Sequence, residues 1–448
     1  MELKSKLQVG FGKCDITPNE SVPLAGAGNT SQRMSQGVLN RLSLIFLAFT
    51  DEAGQTILLS SADLLVMPDQ LAHEFRLAIS EKTNVPYDNI MLAATHSHNA
   101  PDQDNLAEPS IQRYIEQLRA WYVEAAQKAL EDRRPAKMFA GKTQTDRLNF
   151  VRHYTTEAGI PKGDNFGDEV DSPYTGHTHD ADPGMQLVRF ARQDAKDILL
   201  VNWQVHPHRA SSKMSGFHYM VASDLIGAMR ETLEEETQMH VVYYTGAAGN
   251  LNPFSRIKEE NVTANYLEQG KALACYAAKC LENLKPLQDG PIRHITKRTA
   301  EKIDHHEDCK VAEAEEVLLY WIRTNNLLEA VKLANQYGIN SPYHAAGILD
   351  KSRLPETDDL ELHSFCVGEL SVVTVPYEMF DSNGVYIKEN SPFATTLIAT
   401  QTNQSRAYIP SKEGFRINSY EANAGRFKVG TGEELAEELV QMLQQIHS

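Results

Sequence analysis

The sequence predicts an α/β protein: a mixed, largely parallel sheet core with helices packed around it, in a single large domain over residues 1–448. Three observations predict it. Apolar, β-rich runs alternate with helical patterns along the chain, the order that parallel strands joined by crossover helices require. At 448 residues, 42% hydrophobic and 23% charged, the chain has ample length for a large core. No internal repeat or low-complexity stretch divides it.

Taken in order, Gln8 to Thr17 reads as a first strand and turn, followed by the loop Leu24-Ala25-Gly26-Ala27-Gly28-Asn29. The Gly26 and Gly28 pair reads as a turn, because no third glycine and no helix follow as a dinucleotide site requires. Leu42 to Thr50 and Gln55 to Asp63 are strands around the turn Asp51-Glu52-Ala53-Gly54. A helix over Asp69 to Lys82 and a strand over Ile90 to Thr95 complete a strand–helix–strand unit. A long helix runs from an N-cap at Ser110 to about Glu131, with Ile111, Tyr114, Ile115, Leu118, Trp121 and Tyr122 at helical spacing. Alternation over Lys137 to Arg152 gives way to a polar loop over Thr155 to Pro183, whose length marks it as functional or disordered. Within it, His177 and His179 lie among acidic residues, which points to solvent exposure.

Gln186 to Phe190 and Ile198 to Val205 are strands, Asp224 to Glu235 a helix, and His240 to Thr245 a strand entering the turn Gly246 to Pro253. Helical patterns cover Glu259 to Leu284 and Val311 to Tyr337, the second closed by Gly338. Its Leu318, Leu319, Trp321, Ile322, Leu327 and Leu328 are assigned to packing. His305 and His306 with Cys309 sit beside Asp304, Glu307 and Asp308, a wet loop. Glu361 to Pro376 forms a hairpin around Gly368, Leu397 to Thr400 another strand, and Glu433 to Ile446 a closing amphipathic helix.

Composition excludes several functions. With 60 acidic against 43 basic residues, a net charge of −17 disfavours nucleic acid and anionic membrane as partners. No apolar run approaches the roughly 20 residues of a membrane span, and the first residues lack a signal-peptide core, so the expectation is a cytoplasmic protein without stable membrane insertion. The five cysteines are scattered without a Cys-x-x-Cys, which suits buried thiols better than disulfides or a thiolate cluster.

Chemistry concentrates at two strand ends. The run Ile90 to Ala94 leads into Thr95-His96-Ser97-His98-Asn99-Ala100-Pro101, and alternation along a strand would put His96 and His98 on one face. Open α/β sheets place ligands at such ends. The pair suits two metal ligands or two hydrogen-bonded histidines equally. A second source favours the metal: Val201-Asn202-Trp203-Gln204-Val205 ends in His206-Pro207-His208. No His-Glu-x-x-His occurs, which excludes metalloprotease geometry.

Over nearly its whole length the chain resembles the N-terminal catalytic domain of the neutral/alkaline non-lysosomal ceramidases. The resemblance rests on Gly10-Phe11-Gly12-Lys13-Cys14-Asp15-Ile16-Thr17-Pro18, Ser61-Ala62-Asp63, Thr95 to Pro101, Asn202-Trp203 leading to His206-Pro207, Val375-Pro376-Tyr377-Glu378, and Tyr408 with Tyr420. It implies one zinc per chain, held by His96, His206, Glu378 and Tyr408, with His98 beside it. It also implies that Arg152 and Tyr420 position the scissile amide, and that metal-activated water attacks an N-acyl bond. His98 is then the natural proton donor to the leaving amine. A donor set of two nitrogens and two oxygens also suits manganese, iron or nickel.

Departures accompany the matches. The family's Gly-Asp-x-Ser-Pro turn reads here Gly249-Asn250-Leu251-Asn252-Pro253, so a serine nucleophile is missing and Asn252 is left to orient substrate by hydrogen bonding. No counterpart of the C-terminal β-sandwich of secreted ceramidases is expected. The implied partner is a small N-acyl amide, not necessarily ceramide; the alternatives are an ester hydrolase and a non-catalytic metal-binding relative.

Overall fold

The computed structural model describes residues 6–26, 33–159, 162–163, 173–212 and 215–447. Gly28 and the middle of the predicted 155–183 loop lie outside them. Strands β1 (Gln8–Asp15), β2 (Ser43–Thr50) and β3 (Thr56–Ala62) are followed by α1 (Asp69–Thr83), β4 (Ile90–Ala94) and α2 (Pro109–Glu131). Next come β5 (Arg134–Gln144), β6 (Gly184–Arg192), β7 (Ile198–Trp203), α3 (Asp224–Thr237), β8 (His240–Thr245), α4 (Tyr266–Leu281) and β9 (Lys285–Leu287). These nine strands make one sheet in the order β8-β7-β6-β5-β1-β2-β3-β4, with β9 also on β5.

The class and the mixed sheet match the expectation; the balance of strand directions differs. Only β3 with β4 and β7 with β8 pair in parallel, and each pair is bridged by a helix. The other neighbours in the sheet are antiparallel. Residues 51–55 and 193–197 are hairpin connections, too short for a crossover, so they force antiparallel pairing.

A second sheet is built from β10 (Ile292–Lys302), β11 (Thr357–Val367), β12 (Leu370–Thr374) and a later strand, with α5 (Val311–Thr324), α6 (Leu327–Gln336) and α7 (Pro342–Lys351) inserted between the first two. After it come β13 (Glu378–Met379), α8 (Asp381–Asn390), β14 (Thr395–Ala399, the fourth strand of the second sheet), β15 (Tyr408–Ile409), α9 (Lys412–Arg416), α10 (Tyr420–Ala424) and α11 (Thr431–His447). The result is layered helix–sheet–sheet–helix. Phe46, Leu58 and Leu92 face α1 and α2, whereas their neighbours Leu47, Leu59 and Met91 meet Phe365, Val372 and Leu397 of the second sheet. Behind that sheet, Val373 and Ile398 pack on Leu435, Leu439 and Leu443 of α11. Strands covered on both faces read as continuous apolar runs, which is why β2 is buried at every position.

The main sheet curls until strands from its two ends meet. Ser61 Oγ donates to Tyr243 O at 2.5 Å, Tyr244 Oη to Leu59 O at 3.1 Å and Thr245 Oγ1 to Thr95 O at 2.8 Å. This closure draws the ends of β4 and β7, far apart in strand order, to one place.

Local readings differ at several points, and the helical pattern read over 259–284 is α4 only from Tyr266 to Leu281. The long helix is capped by Glu108, with Pro109 in the first turn, so Ser110 lies inside it. The 311–337 helix is two helices, because Asn325 adopts a left-handed backbone (φ 49°) and Asn326 caps the second. Leu319, Ile322 and Leu328, assigned to packing, are more than 40% exposed.

A buried polar knot ties the second sheet to α1. Arg76 Nη1 donates to Glu361 Oε1 at 2.6 Å, and His363 Nε2 lies 2.7 Å from the same oxygen. Burial alone would raise the Glu361 carboxyl, but the His363 hydrogen bond and the charges of Arg76 and Arg298 hold it well below the usual range. Its folded-state pKa is therefore depressed, so its stabilisation is full above the unfolded value of about 4.3 and fades as pH falls below it. Thermal melts should show wild type above Glu361→Gln at pH 7, with the gap narrowing from about pH 4.5 downward.

Candidate metal centre and active site

Residues after β4 build the first wall. β4 ends at Ala94, and His96 has a left-handed backbone (φ 69°), so strand alternation does not place His96 and His98; a turn does. The turn is braced by Asp63, which accepts from Thr95 Oγ1 at 3.2 Å and from Arg230 Nη1 at 2.9 Å. Arg33 Nη1 donates to the carbonyl of His98 at 2.7 Å. From the other end of the sheet, β7 delivers His206, whose ring centroid lies 4.7 Å from that of His96.

Each of the three rings has its Nδ1 against a main-chain carbonyl. His96 Nδ1 is 2.9 Å from Leu65 O, His98 Nδ1 2.7 Å from Gly26 O, and His206 Nδ1 2.8 Å from Ala248 O. Donation from Nδ1–H leaves Nε2 as a bare lone pair. One ring nitrogen from each lies within 4.8 Å of the others, and His96 Nε2 and His98 Nε2 are 3.3 Å apart. Burial, then the neighbouring histidines, keeps His98 well below its ordinary pKa. Burial, then Arg152, pushes His206 down to about 4. Neutral imidazoles are the form a metal binds.

Oxygen donors come from the second sheet. β13 and β15 pair in parallel with Glu378 opposite Tyr408, which sets the two predicted oxygen ligands side by side. Glu378 Oε2 is 2.8 Å from His206 Nε2 and 3.3 Å from His96 Nε2, yet it is buried without a properly directed hydrogen bond. Tyr408 Oη is 3.3 Å from His206 Nε2. An orphaned carboxylate oxygen facing bare imidazole nitrogens is a donor set that a divalent transition metal fits.

The residues expected to position substrate also converge. Arg152 is buried, and its guanidinium lies 5.3 Å from the Tyr408 ring centre and 5.6 Å from that of Tyr420. Its Nη2 donates to Gly249 O at 2.7 Å and its Nε to Glu421. Asn252, expected to orient substrate, has its Oδ1 3.0 Å from His208 Nε2. Asn250, the other substituted turn residue, is spent on Asp381 at 2.7 Å. His177, expected in solvent, is largely covered and its Nε2 lies 2.8 Å from Glu260, whereas His179 is exposed as expected, with its Nε2 3.3 Å from Asp381. The side chain of His306 is 66% exposed, as a wet loop requires, while His305 pairs with Asp308 at 3.1 Å.

Sequence reasoning missed Glu421, Gly249 and His208. Glu421 stands 269 residues from Arg152, and its only signal was adjacency to Tyr420. His208 was visible in the His-Pro-His run, and its ring lies 5.4 Å from that of His98. A Cβ on Gly249 would sit 2.7 Å from the main-chain oxygen of Glu378. Gly249→Ala should therefore displace β13 and weaken metal affinity about tenfold with every donor intact, read by competition with a chelator.

The family model for neutral/alkaline non-lysosomal ceramidase, N-terminal, matches residues 7–341. The chain belongs to that family. A neutral ceramidase from Drosophila pseudoobscura pseudoobscura is 25% identical over 241 residues, 51% of this chain and 32% of that relative, so the match spans about a third of the relative's length. The crystal structure of neutral ceramidase from Pseudomonas aeruginosa superposes with a TM-score of 0.73 over 99% of this chain and 75% of that one, at 16% identity. A ceramidase complexed with C2 gives the same TM-score and identity, with 76% of its chain covered. These likenesses confirm the fold. No helix of the described residues is long and apolar enough to cross a membrane.

Proposed function

We propose that this ceramidase-family chain is a zinc-dependent hydrolase of N-acyl amides, one zinc per chain, acting as a single catalytic unit over residues 1–448. The observation that carries the reading is the convergence of His96, His206, Glu378 and Tyr408 donors around the orphaned Glu378 oxygen. Those four would hold the metal. When bound, zinc supplies a Lewis acid and lowers the pKa of coordinated water to about 7.

The remaining steps belong to side chains. Arg152, fixed by Glu421 and Gly249 O, presents a permanent cation where charge grows on the amide oxygen, and Tyr420 flanks it 5.6 Å from the guanidinium carbon. His98, its Nδ1 anchored on Gly26 O, keeps a bare Nε2 that takes up the proton released by the attacking water and passes that same proton to the leaving nitrogen. Asn252, bonded to His208, orients that ring instead of replacing a serine nucleophile.

Purified protein loaded with zinc should cleave N-acyl amines of varied acyl length and leave aryl esters comparatively slow. Turnover of esters alone would replace the amidase reading with the ester one. A metal-dependent rise in melting temperature with no turnover of either class would mark a non-catalytic relative.

A further inference from the structure

The His206-Pro207-His208 run delivers two imidazoles, and the proposed metal sphere takes only the first. The ring of His208 lies 5.4 Å from that of His98 and 5.8 Å from that of His206, a direct neighbour of both. Those two rings are 5.6 Å apart, so the three form a closed triangle of ring contacts. His206 is buried, whereas His98 and His208 are each partly exposed. The latter two therefore line the side of the centre that solvent, and with it a substrate, reaches.

The turn in which this chain departs from its family holds the ring. Asn252 Oδ1 lies 3.0 Å from His208 Nε2, and Phe254 meets the ring edge-on at 5.4 Å. Leu251 and Asn252 pair with Val151 and Phe150, and Arg152 N donates to Asn250 O at 3.0 Å, which ties the turn to the segment that carries Arg152. An amide oxygen only accepts, so Nε2 carries the hydrogen and Nδ1 keeps a lone pair. Among the described residues, no other residue bonds Nδ1. An acceptor held this firmly, and spent on nothing in the fold, is available to a ligand.

The same neighbours set which half of the substrate it meets. His98 passes its proton to the leaving nitrogen in the amide-hydrolase reading, so the amine half of the amide lies against His98 and next to His208. With 5.4 Å between the two rings, His208 meets groups a few bonds from that nitrogen.

We propose that His208 is a specificity-determining residue that reads the leaving amine: its Nδ1 accepts from a hydrogen-bond donor, a hydroxyl or an amide N–H, a few bonds from the scissile nitrogen. The same lone pair repels a carboxylate at that position. The proposal rests on the amide-hydrolase reading and on its orientation of the amide at His98. A site built to pair with a donor rejects the analogue that lacks it, because the acceptor is then left dehydrated and unpaired.

Four substrates of one acyl length test it on zinc-loaded protein. N-octanoylethanolamine and N-octanoylglycinamide carry a donor, N-propyloctanamide carries none, and N-octanoylglycine carries a carboxylate. At least one donor-bearing amide should exceed N-propyloctanamide about tenfold in kcat/KM, which identifies hydroxyl or amide N–H, and N-octanoylglycine should be the poorest of the four. His208→Phe keeps a ring and removes both nitrogens, so the donor preference should fall to near one. The ratio is taken within each variant, which cancels any general loss of rate. His208→Ala gives the same readout if the larger ring disturbs the fold. Asn252→Ala, which frees the ring to turn, should cut the preference about threefold. A wild-type ratio near one, a preference for N-octanoylglycine, or a donor preference that survives loss of both nitrogens overturns the proposal. If none of the four turns over, the amidase reading fails, and calorimetry with the non-hydrolysable octanesulfonamides of ethanolamine, glycinamide and propylamine decides His208 separately. Tighter binding of a donor-bearing sulfonamide that His208→Phe abolishes sustains the site; equal or absent binding removes it.

Discussion

Glu378→Gln should strip zinc from the protein and lower amide turnover by at least about a thousandfold, because it replaces the one anionic donor of the proposed metal sphere with a neutral amide. The substitution keeps the shape of the side chain, so the parallel pairing of Glu378 with Tyr408 should survive. Folding and metal binding are thereby separable. Elemental analysis of dialysed protein should give about one zinc per chain for wild type and almost none for the variant. Added zinc should raise the melting temperature of wild type alone. A variant that retains zinc and activity would remove Glu378 from the metal and leave the three imidazoles as the site.

The second large effect is expected at Glu421. This fully buried carboxylate accepts from Arg152 and lies 3.0 Å from His153 Nε2. Burial works to raise it, but the charges of Arg152 and His153 hold it well below the usual carboxylate range. Glu421→Gln leaves the Arg152 guanidinium buried without a counter-ion, at a cost of about 3–5 kcal/mol of stability. Chemical denaturation measures that loss. Because Arg152 is proposed to meet charge on the amide oxygen, kcat should fall about a hundredfold while zinc content stays near one per chain. Lost zinc with unchanged specific activity per bound metal would make Glu421 purely structural. Arg152→Met combined with Glu421→Gln should recover much of the lost stability and none of the lost rate, the signature of a charge pair retained for chemistry.

The sequence by itself determined the local elements and, through the family resemblance, named the candidate donors. Apolar runs bounded by turns marked β2, β3, β4, β7 and β8 to within two residues or so, since a strand buried on both faces is constrained at every position. His96, His206, Glu378 and Tyr408 were named from motif resemblance, and the fold brings all four together. What composition and periodicity do not encode is pairing across long separations. Strand direction depended on connection length read against the whole sheet, so two crossover units were mistaken for the rule.

Only the tertiary structure decided how the centre is assembled. The curl of the main sheet brings the ends of β4 and β7 together, and the left-handed backbone at His96 aims its ring. Main-chain carbonyls from Leu65, Gly26 and Ala248 select which nitrogen each imidazole leaves bare. Glu421 reaches Arg152 across 269 residues, and the Phe254 ring meets His208 edge-on. Each of these is a contact between segments that share no local pattern. The physical reason is that side-chain type is written residue by residue, whereas the tautomer, charge state and neighbours of a buried group are fixed by whichever distant backbone folds against it.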